Sequence, residues 1–332
     1  MGARFDEVIK EINKGRRFLV VSHVSPEGDA IGSLLGLALA LRSIGKDVVA
    51  YLEDQVPEMF RFLPGADTIV HSLDVMGPFD VTFAVDCGQK ERLGKGFVAL
   101  KTPGMIINMD HHATNDRFGA INVIEPEASA AGELVYDLCA AAGIKFDREM
   151  AVNLYVAIHT DTGSFRYSSS SPAAFMKAGE LVKAGADPWD VSCRVYENFP
   201  ARKYKLLAMV LSTLEVTGLD GRGEIASLVV TLDMFKKSGA ETELSDGFVN
   251  YARGIEGVEA GVLFRECGVN EYKVSLRSKG AVNVAAIASA FNGGGHKNAA
   301  GFTVKGSLEE IRTKVMAAIR SALSAMPGRV AN

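Results

Sequence analysis

The sequence predicts an α/β protein in which a doubly wound, mainly parallel sheet is followed by a smaller C-terminal α/β domain, with a cleft between the two. Three observations carry this. Apolar runs of strand length alternate with longer amphipathic stretches through about residue 186. The alternation is interrupted at Asp187-Pro188-Trp189, and an α/β pattern restarts after Gly218-Leu-Asp-Gly-Arg-Gly223. The length of 332 residues favours two domains over one.

In chain order, the first region reads as strand 18 to 23, helix 30 to 44, strands 47 to 52, 80 to 86 and 105 to 110, and helices near 129 to 142, 148 to 160 and 172 to 184. Gly45 supplies a C-terminal stop for the first of these helices, and Asp29 at its start suits an N-cap or a ligand. Residues 189 to 216 read as helical apart from a break at Asn198-Phe199-Pro200. The second region reads as strand 225 to 231, helical stretches near 233 to 253, strands 258 to 266 and 271 to 278, helix 283 to 291, strand 300 to 305 and helix 307 to 325. The domains are therefore expected at 1–186 and 219–328, joined by a helical linker over 187–218 that acts as a hinge.

Composition excludes several classes. No stretch approaches the roughly 20 consecutive apolar residues of a membrane span, and the N-terminus lacks the apolar core of a signal peptide, so a cytoplasmic protein without a membrane partner is expected. Cys87, Cys139, Cys193 and Cys267 are widely spaced, which predicts reduced and mostly buried thiols. A net charge of -4 argues against a basic stripe for duplex DNA, so any phosphate recognition is local and its ligands are short.

Hard metal-ligand side chains gather where the strands end. Phe18-Leu-Val-Val-Ser22 runs into His23, followed by Glu27 and Asp29; Val81-Thr-Phe-Ala-Val85 runs into Asp86; Met105-Ile-Ile-Asn-Met109 runs into Asp110-His111-His112; Asp161 closes a predicted helix. The carboxyl ends of parallel strands share one edge, where open α/β sheets bind ligands. Mixed imidazole and carboxylate ligands without cysteine favour manganese or magnesium, with zinc, iron or cobalt as competitors. His23, Glu27, Asp29, Asp86, His111 and Asp161 are enough for two ions, with Asp86 as the natural bridge. Two such ions roughly 3.5 to 4 Å apart activate water for displacement at phosphorus. His111 and His112 point in opposite directions on extended backbone, so His112 is left to meet phosphate or leaving group. Asp110 either orients a histidine or begins the turn. His71 reads as structural, and His159 as a candidate supporting residue beside Asp161.

In the second region, Phe291-Asn-Gly-Gly-Gly-His296-Lys-Asn-Ala-Ala-Gly301 suits a backbone nest for an anion, with Gly294 and Gly295 open to close approach and His296 at the lip. Arg253 and Arg277, the latter followed by Ser278, are bidentate phosphate-clamp candidates.

The segments His23-Val-Ser-Pro-Glu-Gly-Asp-Ala-Ile-Gly-Ser33, Val85-Asp-Cys-Gly88, Asp110-His-His112 and Thr160-Asp-Thr-Gly-Ser164 resemble the four motifs of the DHH phosphoesterase superfamily. The Gly-Gly-Gly-His and Ser-Leu-Arg-Ser segments resemble the substrate-binding domain of RecJ exonucleases and of the stand-alone oligoribonuclease and pAp-phosphatase branch. The resemblance implies that His23, residue 27 and Asp86 hold one manganese and that Asp29, Asp86, His111 and Asp161 hold the other, magnesium or cobalt being alternatives. It implies that His112 is the catalytic histidine, with Asp110 and Asp86 beside it, and that Ser278 belongs to the substrate grip. It further implies short single-stranded RNA or 3',5'-bisphosphonucleosides as substrates, and a homodimer. Glu27 departs from the usual Asp by one methylene.

Overall fold

The computed structural model describes residues 2–74, 77–218 and 224–325, and the chain divides into two compact units, 1–198 and 199–332. Residues 219–223 and 326–328, at the two ends of the expected second domain, lie outside the described residues.

The first unit runs α1 (Gly2–Lys14), β1 (Arg17–Val21), α2 (Gly28–Ser43), β2 (Asp47–Tyr51), β3 (Val81–Val85), α3 (Lys95–Ala99), β4 (Met105–Asp110), β5 (Ile121–Ile124), α4 (Ala131–Ala141), α5 (Arg148–Asp161), α6 (Pro172–Lys183) and α7 (Pro188–Ser192). Its five strands are all parallel in the order β2-β1-β3-β4-β5. Strand order reverses between β1 and β3, so the loops leaving those two strands open a crevice at the carboxyl edge. One large core packs β1, β3 and β4 through Phe18, Val20, Phe83 and Ile107 against α2, α4 and α5. A smaller core around Leu19, Tyr51, Phe79 and Phe97 covers the opposite face.

Helix α2 is apolar nearly all round because it is enclosed. Its Gly28, Gly32 and Gly36 form one stripe against α5: a Cβ on Gly28 would lie 2.3 Å from Thr160 Oγ1, and one on Gly32 would lie 2.4 Å from the Asn153 carbonyl. No larger residue fits, and the close approach brings Asp29 at the start of α2 to the same end as Asp161 at the close of α5.

The second unit runs α8 (Ala201–Leu211), β6 (Glu215–Gly218), β7 (Glu224–Val230), α9 (Leu232–Ser238), α10 (Val249–Arg253), β8 (Val258–Gly268), β9 (Glu271–Ser278), α11 (Val284–Ser289), β10 (Gly294–His296), β11 (Ala299–Lys305) and α12 (Leu308–Ser324). Its six-stranded mixed sheet has the order β10-β11-β9-β8-β7-β6, with β7 and β8 parallel and the other pairs antiparallel. Val262, Phe264, Val274 and Leu276 face α11 and α12, while Leu228, Val230 and Leu263 face α8 and α10. Ser307 and Glu310 form a capping box that starts α12.

Several elements differ from the sequence expectation. Helices α1 and α3 and strands β5, β6 and β10 are additions. The stretch read as helical through Val216 stops at Leu211, because Glu215–Gly218 gains a full antiparallel ladder with β7. Its first part is α7, capped by Asp187 Oδ1 accepting from the Trp189 and Asp190 N–H groups, followed by a wide turn over Cys193–Glu197. Within the Gly-Gly-Gly-His segment, Gly294–His296 forms an edge strand paired with β11. Cys87 and Cys139 are buried, but Cys193 is half-buried and Cys267 exposed, which corrects the expectation of mostly buried thiols.

Candidate metal centre

Each strand that ends at the carboxyl edge delivers one part of the cluster. The β1 exit is held to the β3 exit by Ser22 Oγ, which donates to the Val85 carbonyl at 2.8 Å. His23 follows at once. Asp86, the residue after β3, takes a left-handed backbone (φ 52°) while its N–H donates to the Met109 carbonyl at 2.9 Å. Aspartate tolerates that region better than most residues, and such backbones gather at functional sites. The turn swings the Asp86 carboxylate back over the crevice, where it is 1% exposed.

The two Asp86 oxygens look at different groups. Oδ2 lies 3.5 Å from His23 Nε2, and Oδ1 lies 3.5 Å from His111 Nε2 and 3.6 Å from His112 Nδ1. Neither oxygen has a well-formed hydrogen bond among the described residues, although both are buried. A buried carboxylate without donors is costly unless a positive charge satisfies it.

On one side of Asp86, Glu27 Oε1 lies 3.1 Å from His23 Nε2. Glu27, one methylene longer than the usual Asp, reaches His23 with a half-exposed side chain. His23 Nδ1 donates to the Val24 carbonyl at 2.8 Å, which fixes the ring with Nε2 turned toward the carboxylates. On the other side, His111 Nδ1 meets the Ala128 carbonyl at 3.1 Å, and its Nε2 lies 3.6 Å from both Asp29 Oδ2 and Asp161 Oδ2.

Asp29 does not cap its own helix, whose N-cap position is Glu27. It caps α4 instead. Its Oδ1 accepts from Ser33 Oγ (2.7 Å) and the Gly132 N–H (3.0 Å), and among the described residues its Oδ2 accepts only the Ala131 N–H (2.6 Å). A carboxylate oxygen has two acceptor positions, so Oδ2, the oxygen facing His111, keeps one for a ligand.

The electrostatics agree. Burial pushes His23 down, yet the Glu27 and Asp86 carboxylates overcome it and lift the imidazole to about 11. Burial likewise opposes protonation of His111, and Asp86, Asp161 and Asp29 outweigh it, raising the ring well above its usual range. Burial together with the Asp86 charge pushes Asp161 up to about 7 against the pull of His111. Asp29 is driven up by burial and by Asp86. Asp86 itself stays ionised, because the imidazoles around it outweigh its burial. Four carboxylates thus crowd a small space in which protons on imidazole supply the balancing charge. With imidazole and carboxylate donors only, the set fits hard divalent cations such as manganese or magnesium.

Asp110 lies against both histidines that follow it. Its Oδ1 accepts from the His111 N–H (2.8 Å) and His112 Nδ1 (2.7 Å), and its Oδ2 accepts from Asn115 Nδ2 (2.6 Å). Burial raises its cost of ionisation, but the His112 bond outweighs this and holds the carboxyl below its usual range. The rings of His111 and His112 stand edge to face, 5.0 Å apart at 65°. One turns toward Asp29 and Asp161, the other toward Asp110.

Two residues absent from the sequence reading complete this arrangement. Asn115 also donates to Asn108 Oδ1 at 2.8 Å, and Asn108 donates to the Ala84 and Cys87 carbonyls. Asn108 was visible as the one polar residue within an apolar strand run. Nothing in the spacing marked Asn115. His71 is structural, its Nδ1 against the Leu52 carbonyl at 2.8 Å. His159 lies in an aromatic cage of Tyr155, Phe165 and Tyr196, where burial pushes it down to about 4, and its Nε2 meets the Ser164 and Ser192 hydroxyls.

Comparison with known proteins settles the family. The DHH family N-terminal domain matches residues 17–158 and the DHHA1 domain matches residues 224–324. The bifunctional oligoribonuclease and PAP phosphatase NrnA of Thermus thermophilus is 35% identical over 308 residues, covering 92% of this chain and 90% of that one. The chain is a DHH phosphoesterase. A probable bifunctional oligoribonuclease and PAP phosphatase NrnA of Streptococcus mutans is 27% identical, over 90% of this chain and 92% of its own. The crystal structure of an exopolyphosphatase-related protein from Bacteroides fragilis superposes with a TM-score of 0.89 at 30% identity, covering 98% of each chain.

In the DHHA1 unit, the remaining candidates fall along one row of the sheet. His296 on β10 pairs with Ala299 on β11, which pairs with Arg277 on β9, which pairs with Gly261 on β8. Residues directly opposite on antiparallel strands share a face. Arg253 backs onto that row, since a Cβ on Gly261 would lie 2.7 Å from its backbone nitrogen. His296, Arg277 and Arg253 are therefore neighbours, separated by the small Ala299 and Gly261. Gly295 is required by the hairpin (φ 138°, with a Cβ 2.4 Å from the Ala299 carbonyl), whereas a Cβ on Gly294 would meet nothing within 4 Å. Ser278 follows Arg277 at the end of β9. It is buried, and its hydroxyl donates to the Val282 carbonyl (2.7 Å) while accepting from the Gly280 N–H (3.2 Å), so it shapes the turn after Arg277.

Proposed function

We propose that this DHH phosphoesterase is a manganese-dependent hydrolase that degrades short single-stranded oligoribonucleotides to mononucleotides and removes the 3'-phosphate of pAp. The observation that carries the reading is the buried Asp86 carboxylate, with one oxygen toward His23 and the other toward His111. That arrangement supports two ions per chain: one held by His23, Glu27 and Asp86, the other by Asp29, Asp86, His111 and Asp161. The substrate class is supported by the two NrnA relatives, which match over nearly the whole chain.

When bound, the divalent ions supply positive charge that acidifies water and neutralises phosphoryl oxygens. The chain's own groups do the rest. Asp29 is locked by Ser33 and the α4 N-terminus, so its free acceptor keeps one direction. His112 gives its Nδ1 hydrogen to Asp110, which turns Nε2 outward to meet a phosphate or protonate the leaving oxygen. Arg277, Arg253 and His296, with the open backbone at Gly294, bind further phosphate oxygens of the substrate.

The deciding experiment pairs metal analysis with product mapping. Two manganese ions per chain, mononucleotides from RNAs of two to ten residues, and inorganic phosphate from pAp are the expected results. Binding of pAp without release of phosphate, with manganese present, would replace this reading by that of a nucleotide-binding module. Faster turnover of a cyclic or linear dinucleotide than of longer RNA would narrow it to a dinucleotide phosphodiesterase. Magnesium or cobalt loading with equal turnover would revise the metal.

A further inference from the structure

The short 3-10 turn Lys90–Leu93 after β3 brings a cation to the edge of the metal centre. The turn is fixed at both ends. Leu93 is buried, and Gly94 has a left-handed backbone (φ 94°) where a Cβ would lie 2.4 Å from Glu53 Oε2. The Arg92 carbonyl accepts the Val24 N–H at 2.7 Å, and the Val24 carbonyl in turn meets His23 Nδ1 at 2.8 Å. Turn and ligand loop are thus tied through one residue.

The Arg92 side chain is exposed, and its Nη2 lies 3.3 Å from His23 Nδ1. That contact cannot serve as a hydrogen bond while Nδ1 gives its hydrogen to Val24, since both atoms are then donors. Among the described residues Arg92 forms no ion pair with a carboxylate, although Glu27 lies against the same imidazole. A guanidinium has five N–H donors in a planar fork suited to two phosphate oxygens. Here that fork is held beside the His23, Glu27 and Asp86 side of the centre without an anionic partner.

We propose that Arg92 is a further phosphate-binding residue of this site, donating to non-bridging oxygens of the substrate phosphate on the His23 side. The inference rests on the phosphohydrolase reading above and adds to it a substrate contact supplied by the N-terminal unit itself. The role is electrostatic and directional: it draws the phosphate toward the side where Glu27 and Asp86 converge, and it leaves the ligand set unchanged.

The test is calorimetric binding of AMP, a reaction product that is not turned over, to the manganese-loaded protein, Arg92→Ala and Arg92→Lys, beside a manganese titration of each. Loss of a bidentate charged contact weakens AMP binding about tenfold or more in Arg92→Ala. Arg92→Lys, which keeps the charge without the fork, should fall between the two. Manganese affinity, stoichiometry and melting temperature should match the unaltered protein. Equal AMP affinity in all three proteins, with the unaltered one still hydrolysing RNA, overturns the Arg92 role alone. Weakened manganese binding in Arg92→Ala also overturns it, making Arg92 a positioning residue for His23. Failure of the unaltered protein to bind AMP overturns this role and the phosphohydrolase reading together.

Discussion

Gly32 and Asn153 are so close that a single methyl group on Gly32 would lie 2.4 Å from the Asn153 backbone carbonyl. The neighbour is main chain, so it cannot rotate away, and α2 must move off α5. Because Asp29 starts α2 and Asp161 ends α5, that movement reaches the metal centre. Gly32→Ala is expected to cost about 1–3 kcal/mol of stability by overpacking and to weaken manganese binding as well. Urea denaturation and a metal titration read the two effects separately. A variant with unaltered metal affinity would uncouple the helix pair from the ligands.

Asp86→Ala tests the shared ligand. In metal-free protein the buried carboxylate balances the charge on His23 and His111, so its removal leaves those imidazoles without a counter-ion and should lower the melting temperature at neutral pH. With manganese present the unaltered protein gains a ligand-linked rise in melting temperature, and the variant should lose it. Activity toward RNA and toward pAp should disappear together. Retention of either activity would end the assignment of Asp86 as the shared ligand.

Much of this centre was legible beforehand, because parallel strands end in loops at one edge and the apolar runs before His23, Asp86 and Asp110 located those ends. What escaped were features set by tertiary contact. The capping of α4 by Asp29 joins residues 102 and 103 positions apart. Gly293, Gly294 and Gly295 read as a backbone nest in sequence, yet pairing with β11 makes an edge strand of Gly294, Gly295 and His296. Strand β6 sits inside a helical-looking pattern and exists because β7 offers it a partner. The Arg277 and His296 row depends on register, which spacing alone does not fix.

The Asp110 and His112 pair predicts a kinetic signature. Asp110→Asn keeps the size of the side chain but removes the charge that holds the His112 Nδ1 hydrogen, so the ring loses its orientation and preferred tautomer. By analogy with other carboxylate–histidine pairs, kcat should fall about 10²- to 10⁴-fold with little change in KM. Asn115→Ala should show the same pattern more weakly, since it removes only the amide donor to the other oxygen. An effect confined to KM in either variant would place His112 in substrate binding alone.

Asp80 gives a pH-dependent stability with a defined sign. Its Oδ2 accepts the Arg16 N–H at 2.7 Å and the Arg17 N–H at 2.9 Å, fixing the entry to β1. These backbone bonds hold its carboxyl below the ordinary range. A folded-state value below the unfolded one makes the contribution complete above about pH 4 and removes it as pH falls through the lowered value. Asp80→Asn should therefore be less stable than the unaltered protein at neutral pH, and the gap should close in acid. Urea midpoints at neutral pH and near pH 3 test this; a gap that widens in acid would contradict it.

The DHHA1 row is tested by two substitutions that the packing permits. Arg277 pairs across the sheet with Gly261 and Ala299, neither of which depends on its side chain for support. Removing its guanidinium should weaken substrate capture by about 1.5–3 kcal/mol, a rise in KM of roughly ten- to a hundredfold. Manganese binding should be unaffected, because the ligands proposed for both ions, His23, Glu27, Asp29, Asp86, His111 and Asp161, lie in the first unit. Gly294→Ala adds a methyl group that meets no protein atom within 4 Å, so the melting temperature should hold. A rise in KM from so small an addition would show that a ligand approaches the backbone there, and an unchanged KM would remove Gly294 from the phosphate grip while leaving the Arg277 result to stand alone.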